Sequence, residues 1–244
     1  MIVLGIDGST SQSSVCLGSD QGVLAAASLG RPQWHAEFLT PAIDFCLVHA
    51  GLEVDAIGGV AVTLGPGLYT GMRVALVTAQ MFAHARGLPV IGRSTLDLLA
   101  FAYRHVRSDR VITAVLDARR GELFWARYRP VGDGVQRISE QRVGMPDKLA
   151  VELEATAEDT LCVGEGAVMH ERLLTSTGAQ VTAGRGEPSA VTLTELTLPA
   201  FLREDTQRPE DLRLAYLRQA DATINWRKRG ALRGGRAQAE GEAS

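Results

Sequence analysis

Three short stretches carry residue types that can do chemistry on an anionic group. In the first, Asp7 ends an apolar run over residues 2–7 and is followed by Gly8-Ser9-Thr10. An acidic side chain beside small residues lets a ligand approach the backbone closely, and the same pattern also serves an aspartate that caps a turn. In the second, Gly65-Pro66-Gly67 separates the apolar run 60–64 from a helical pattern that starts at Thr70. Flexible backbone and a helix N-terminus meet there, where unpaired N–H groups can receive an anion. In the third, the turn 117–121 holds Asp117, Arg119 and Arg120, with Glu122 next in line. Guanidinium groups at such a tip pair with carboxylate or phosphate, or simply stay solvated. Arg73 falls in the first helical turn after the glycine loop, where the helix dipole disfavours a cation, so a specific partner is expected for it.

Several common chemistries lack their residues. The glycine loop has neither the spacing nor the Gly-Lys-Ser/Thr ending of a P-loop, and no GxGxxG with an acidic partner about twenty residues on marks a dinucleotide site. The histidines His35, His49, His84, His105 and His170 have no second histidine or cysteine three or four positions away, so no helix presents a paired metal-ligand face. No serine sits in a nucleophile elbow with a base and an orienting acid. Cys16, Cys46 and Cys162 are widely spaced inside apolar patterns, as reduced core thiols are.

These stretches need a scaffold, and the chain reads as α/β. Residues 2–7, 13–18 and 22–28 alternate as a meander of strands, 35–51 as a helix ending at Gly51, 60–64 as a strand and 70–86 as a helix ending at Gly87-Leu88-Pro89. A short strand at 90–92 precedes a helix capped by Ser94. Strands at 110–116, 122–129 and 135–142 then repeat the opening meander, followed by a strand at 161–166 and helices near 167–174 and 190–203. The duplication lies in the order of elements, not in residue identity. The boundaries predicted are 1–100 and 101–205 for two subdomains, 206–226 for a segment packing back on the first, and 227–244 for a tail without a core pattern. The 244 residues suffice for this core, and a net charge of −3 gives no general attraction to nucleic acid or anionic membrane. No window is apolar enough to cross a bilayer, and Met1 leads straight into a strand pattern, so a cytoplasmic protein without membrane contact is expected.

The two helices 35–51 and 70–86 have more apolar surface than one core requires. Gly71, Ala75, Ala79 and Ala83 repeat every fourth residue as a stripe of small side chains, and Met72, Leu76 and Phe82 cover much of the rest. A helix apolar nearly all round is buried on more than one side. The expected docking surface therefore comprises Phe38, Leu39, Ala42 and Phe45 of the first helix, with Tyr69, Thr70, Gly71, Met72, Arg73, Ala75, Leu76, Ala79 and Ala83 of the second.

Five motifs carry a family resemblance: IDGST at 6–10, HAEFLTPAIDFCLVHAGL at 35–52, LGPGLYTGMRVALVTAQMFA at 64–83, GLPVIGRSTLDLLA at 87–100 and LDARRGELFWARY at 116–128. Together they resemble the TsaB (YeaZ) family over residues 1–222. The glycine loop with its helix and the DARRGE turn are the specific parts. Departures are Gly8 for the family's usual threonine, Leu68-Tyr69 for Ser-Phe, and a missing proline in the PxYLR ending, where LRLAYLRQADA stands at 212–222. The resemblance implies a duplicated RNase H-like fold of the actin-like ATPase (ASKHA) superfamily, two subdomains each with a mixed sheet flanked by helices. In that fold Asp7, Ser9, Thr10 and Gly164 would mark a vestigial nucleotide cleft, with Gly164-Glu165-Gly166 also readable as a plain turn between strand and helix. It further implies a non-catalytic subunit without a cofactor of its own, acting in threonylcarbamoylation of adenosine 37 in ANN-decoding tRNAs. The implied partners are the related transferase TsaD, the ATPase TsaE in a ternary complex, a second copy when alone, and tRNA only through the complex. TsaD carries paired histidines where this chain has Ser94-Thr95-Leu96-Asp97-Leu98. Two rival readings are an ATPase or small-molecule kinase using the Asp7 cleft, and a metalloprotease-like protein.

Overall fold

The computed structural model describes residues 1–31, 34–184 and 186–217. The expected tail at 227–244, and the end of the expected C-terminal segment at 218–226, lie outside the described residues. Strands β1 (Ile2–Asp7), β2 (Ser13–Ser19) and β3 (Gly22–Leu29) form an antiparallel meander. Helix α1 (His35–Ala50) leads to β4 (Ile57–Thr63), and α2 (Tyr69–Arg86) leads to β5 (Val90–Arg93). Both crossovers are parallel, giving the sheet order β3-β2-β1-β4-β5. After α3 (Thr95–Phe101) the pattern repeats. Strands β6 (Val111–Arg119), β7 (Glu122–Val131), β8 (Gly134–Arg137) and β9 (Arg142–Gly144) make a second meander. Then α4 (Pro146–Thr156) leads to β10 (Thr160–Val163), and α5 (Glu165–Met169) with α6 (Glu171–Ser176) leads to β11 (Gln180–Val181). Its order, β11-β10-β6-β7-β8, is that of the first sheet read from the other edge. The two halves thus repeat one mixed-sheet topology, as the resemblance to a duplicated RNase H-like fold implies.

The strand expected at 135–142 is two short strands on different stretches of β7: β8 pairs residues 128–131 and β9 pairs 123–125. Ser139 makes the break, its hydroxyl accepting from the Arg127 amide at 2.9 Å and so taking a ladder position. Helix α4 went unread in the sequence, although Pro146 stands at its first turn as helix starts favour.

Alternation along the strands decides what covers each face. Leu4, Ile6, Val60 and Val62 face α1 and α2, whereas Val3 and Ala61 share a core with Leu193, Ala200 and Phe201 of α7 (Ala190–Leu202). Gly5 and Gly18 admit that helix closely: a Cβ on either would stand 2.8 Å from an α7 atom. In the second sheet, Ile112, Ala114 and Leu116 pack on Leu96, Leu99 and Ala100 of α3, and Val115 and Cys162 pack under α4, α5 and α6. Five layers result, with α3 and α7 sandwiched between the sheets. Helix α3 supplies core to both sheets, Leu98 to the first and Leu96, Leu99 and Ala100 to the second, and α7 covers the first.

The small-residue stripe corrects the expected docking surface. Gly71, Met72, Ala75, Ala79 and Ala83 are buried within the chain, as are Leu39 and Ala42 of α1. Short side chains let α2 lie close on its own sheet, and no partner is needed to cover them. Phe38 and Leu76 are half-buried against the same core. Among the thirteen expected residues only Phe45, Tyr69, Thr70 and Arg73 are exposed.

Candidate functional site: a cleft between the two sheets

The loop before α2 is shaped by contact with the loop after β1. Leu68 donates its amide to the Ser9 carbonyl at 2.7 Å. A Cβ on Gly67 would stand 2.1 Å from that same carbonyl oxygen, and one on Gly71 would stand 2.2 Å from the Gly8 oxygen. Glycine is required because backbone meets backbone. Gly71→Ala is expected to cost about 3 kcal/mol of stability, since neither the buried loop after β1 nor the helix can withdraw. A urea titration measures it, and an unchanged midpoint would contradict this packing.

This roof closes over the acidic loop. Asp7, Ser9 and Thr10 are buried. One carboxylate oxygen of Asp7 accepts from the Ser9 amide (3.2 Å), the Ser9 hydroxyl (2.7 Å) and the Thr63 hydroxyl (2.7 Å). Its other oxygen is buried with no hydrogen-bond partner among the described residues. Burial raises the Asp7 pKa above its ordinary value, against the lowering effect of these hydrogen bonds. His35, at the start of α1, is also buried, with Nδ1 paired to the Ser13 hydroxyl. Burial holds its pKa below the ordinary 6.5.

These shifts have opposite signs in stability. The unfolded carboxyl ionises near 3.8 while the folded one keeps its proton to higher pH, so Asp7 withdraws stability as pH rises above about 3.8. His35 withdraws stability as pH falls below about 6.5, because the unfolded imidazole takes a proton more readily than the buried one. Asp7→Asn keeps the accepting oxygen and removes the buried charge. At pH 7 it is expected to be about 1 kcal/mol more stable than the parent, an advantage that vanishes toward pH 4. Denaturant titrations of both chains across that range measure the difference. A deficit for the variant at pH 7 would show that the carboxylate is stabilising.

The open space lies elsewhere. A cleft of about 810 Å³ runs between the sheets, walled on one side by Pro66, Gly67, Leu68, Tyr69 and Met72. Opposite stand Asp117, Ala118, Arg119, Arg120 and Phe124 of the β6–β7 hairpin, with Ala215, Tyr216 and Leu217 along a third side. The fold thus brings the glycine loop and the DARRGE turn, fifty residues apart in sequence, to facing walls. Asp7, Ser9, Thr10 and Gly164 are not among the lining residues. Gly164 is pressed onto β6, where a Cβ would stand 2.4 Å from the Val115 oxygen, and its φ of 105° suits glycine alone. Gly65, with φ of 97°, sits behind the wall against the Met72 sulfur.

Arg119 and Arg120 both hold left-handed backbone, φ 62° and 58°, which costs on the order of 1 kcal/mol each outside glycine. Asp117 secures the first of them: its carboxylate accepts from the Arg119 amide at 2.7 Å and from the guanidinium at 2.8 Å. Arg73 also has its partner, donating to the Tyr69 hydroxyl at 3.1 Å with its guanidinium 5.1 Å from the ring centre. Tyr216 and Leu217, which complete the cleft, are functional candidates that the sequence reading did not single out; the apolar run at 212–217 was their signal. Ser94 caps α3 through the Leu96 amide (3.2 Å), and Leu96 and Leu98 are core. Among the described residues no three histidine, cysteine, aspartate or glutamate side chains group as metal ligands would, and no helix is long and apolar enough to cross a membrane.

Comparison with known proteins agrees with this architecture. The family model for TsaD, tRNA N6-adenosine threonylcarbamoyltransferase, matches residues 32–198. The tRNA threonylcarbamoyladenosine biosynthesis protein TsaB of Escherichia coli is 33% identical over 187 residues, 76% of this chain and 72% of that protein. An uncharacterized protein of Mycobacterium leprae is 39% identical over 149 residues, 59% of this chain but only 39% of that protein's length. Among solved structures, YeaZ from Pseudomonas aeruginosa superposes with a TM-score of 0.78 at 29% identity, covering 88% of this chain and 99% of that one. The chain therefore belongs to the family that the TsaD model describes and, within it, to TsaB (YeaZ), the tRNA threonylcarbamoyladenosine biosynthesis proteins.

Proposed function

We propose that this chain is a non-catalytic subunit in the formation of threonylcarbamoyladenosine at position 37 of ANN-decoding tRNAs, working in the cytoplasm by binding TsaD, with TsaE joining the complex. The observation that carries this reading is the outward side of α1 and α2. Phe45, Val48, Val77 and Met81 are 49%, 75%, 55% and 66% exposed on two helices packed side by side. Large apolar side chains on adjacent helices mark an interaction surface, and in the absence of TsaD a second copy takes the same face. Burial of Asp7 beneath the 67–71 backbone supports the non-catalytic assignment, since a phosphoryl-transfer carboxylate must reach its substrate. tRNA is met through the complex, and the chain needs no cofactor of its own.

Co-purification with TsaD, followed by tRNA modification assayed with and without this chain, tests the proposal. Modification is expected to require both proteins. Equal modification by TsaD alone, or ATP turnover by the isolated chain with magnesium, would overturn it.

A further inference from the structure

Residues 212–217 run between the two cores without regular secondary structure. Leu212 is buried in the core beneath α1 and α2, with a methyl beside Gly92 of β5. Five residues on, Leu217 packs against the core of the second sheet. Between these anchors the Ala215 amide donates to the Leu64 carbonyl at 2.8 Å, and the Tyr216 ring lies 5.6 Å from that of Tyr69, tilted by 37°. Tyr69 opens α2, so the segment touches the glycine-loop wall of the cleft before ending on the side of the hairpin wall.

We propose that residues 212–217 form a strap that bridges the two cores at one end of the cleft and serves as a releasable wall of it. The ends are apolar, Leu212 buried in the first core and Leu217 packed partly buried against the second. The middle is held to the first wall by the Ala215 hydrogen bond and the Tyr216–Tyr69 contact alone: Tyr216 is 56% exposed, and the Arg213 guanidinium turns back to carbonyls at residues 210 and 212. A link held by so few contacts opens locally at lower cost than either core unfolds. Detaching Leu217 frees the hairpin wall with Arg119 and Arg120, whereas detaching Tyr216 frees only the start of α2. The strap thus governs access to the cleft whatever the chain's partner is, and it does so independently of the outward face of α1 and α2.

Hydrogen exchange of the full chain, with small-angle scattering, tests this on Leu217→Asp and Tyr216→Ala. In Leu217→Asp, exchange at residues 66–72 and 117–124 is expected to rise about tenfold or more, with a larger radius of gyration, while β1, β4 and β6 keep their protection. In Tyr216→Ala the rise is confined to 66–72. Unchanged exchange at both walls, or a uniform rise that includes β1 and β6, would overturn the strap, the second because the segment would then be ordinary core. Should Leu217→Asp fail to fold, Tyr216→Ala, which disturbs neither core anchor, decides alone.

Discussion

An Ala79→Arg chain is expected not to fold. Ala79 is wholly buried, on the side of α2 that lies against its own sheet, within the cluster formed by Leu4, Ile6, Val60 and Val62. A guanidinium there has no water and no acidic partner among those neighbours. Burying an unpaired charge costs several kcal/mol, and forcing a long side chain into a close helix–sheet contact adds about 1–3 kcal/mol. The sum approaches the whole margin of about 5–15 kcal/mol that holds an ordinary domain folded. The measurement is soluble yield with a circular-dichroism melt. A cooperative melt close to that of the parent would mean that the small-residue stripe faces outward after all, toward a partner.

Val77→Arg, two positions earlier on the same helix, is expected to do the opposite. Val77 is 55% exposed, so arginine reaches water and the fold keeps its stability within about 0.5 kcal/mol. Under the proposed function, what it is expected to lose is association. A charge set into a desolvated apolar contact costs about 3 kcal/mol, which is roughly a hundredfold in affinity for TsaD and for a second copy. Analytical ultracentrifugation reads the self-association, and pull-down with TsaD reads the other. Association at parental strength in a folded Val77→Arg chain would move the docking surface elsewhere. The two substitutions form a pair: same residue introduced, same helix, one destroying the fold and the other only the contact.

Much of this architecture was legible in the sequence because local patterns mark it directly. Gly51 and Gly87 stop α1 and α2 in left-handed conformation, with φ of 64° at each, as glycine after a helix does. The repeated meander showed through alternation. Motifs did the same for the cleft: Pro66, Gly67, Asp117, Arg119 and Arg120 were singled out separately, and all five line it. Helix faces were harder to read. Periodicity shows that α2 is apolar on several sides but not which side meets the sheet. The stripe of Gly71, Ala75, Ala79 and Ala83 read equally well as a contact with another chain.

The sequence by itself determined most of the order of elements, though not α4, β11 or the break between β8 and β9, together with their duplication, the family and the two motifs that wall the cleft, because local patterns and motifs mark each of them. Only the tertiary structure decided which apolar faces remain outside. Burial is a property of what packs across space, and small side chains on α2 admit its own β1 and β4. Tertiary structure also decided that Asp7 is roofed and not open, through backbone contacts between residues 8–9 and 67–71 that only glycine permits. And it alone joined Leu212 to one core and Leu217 to the other, a bridge between sheets that no local pattern can encode.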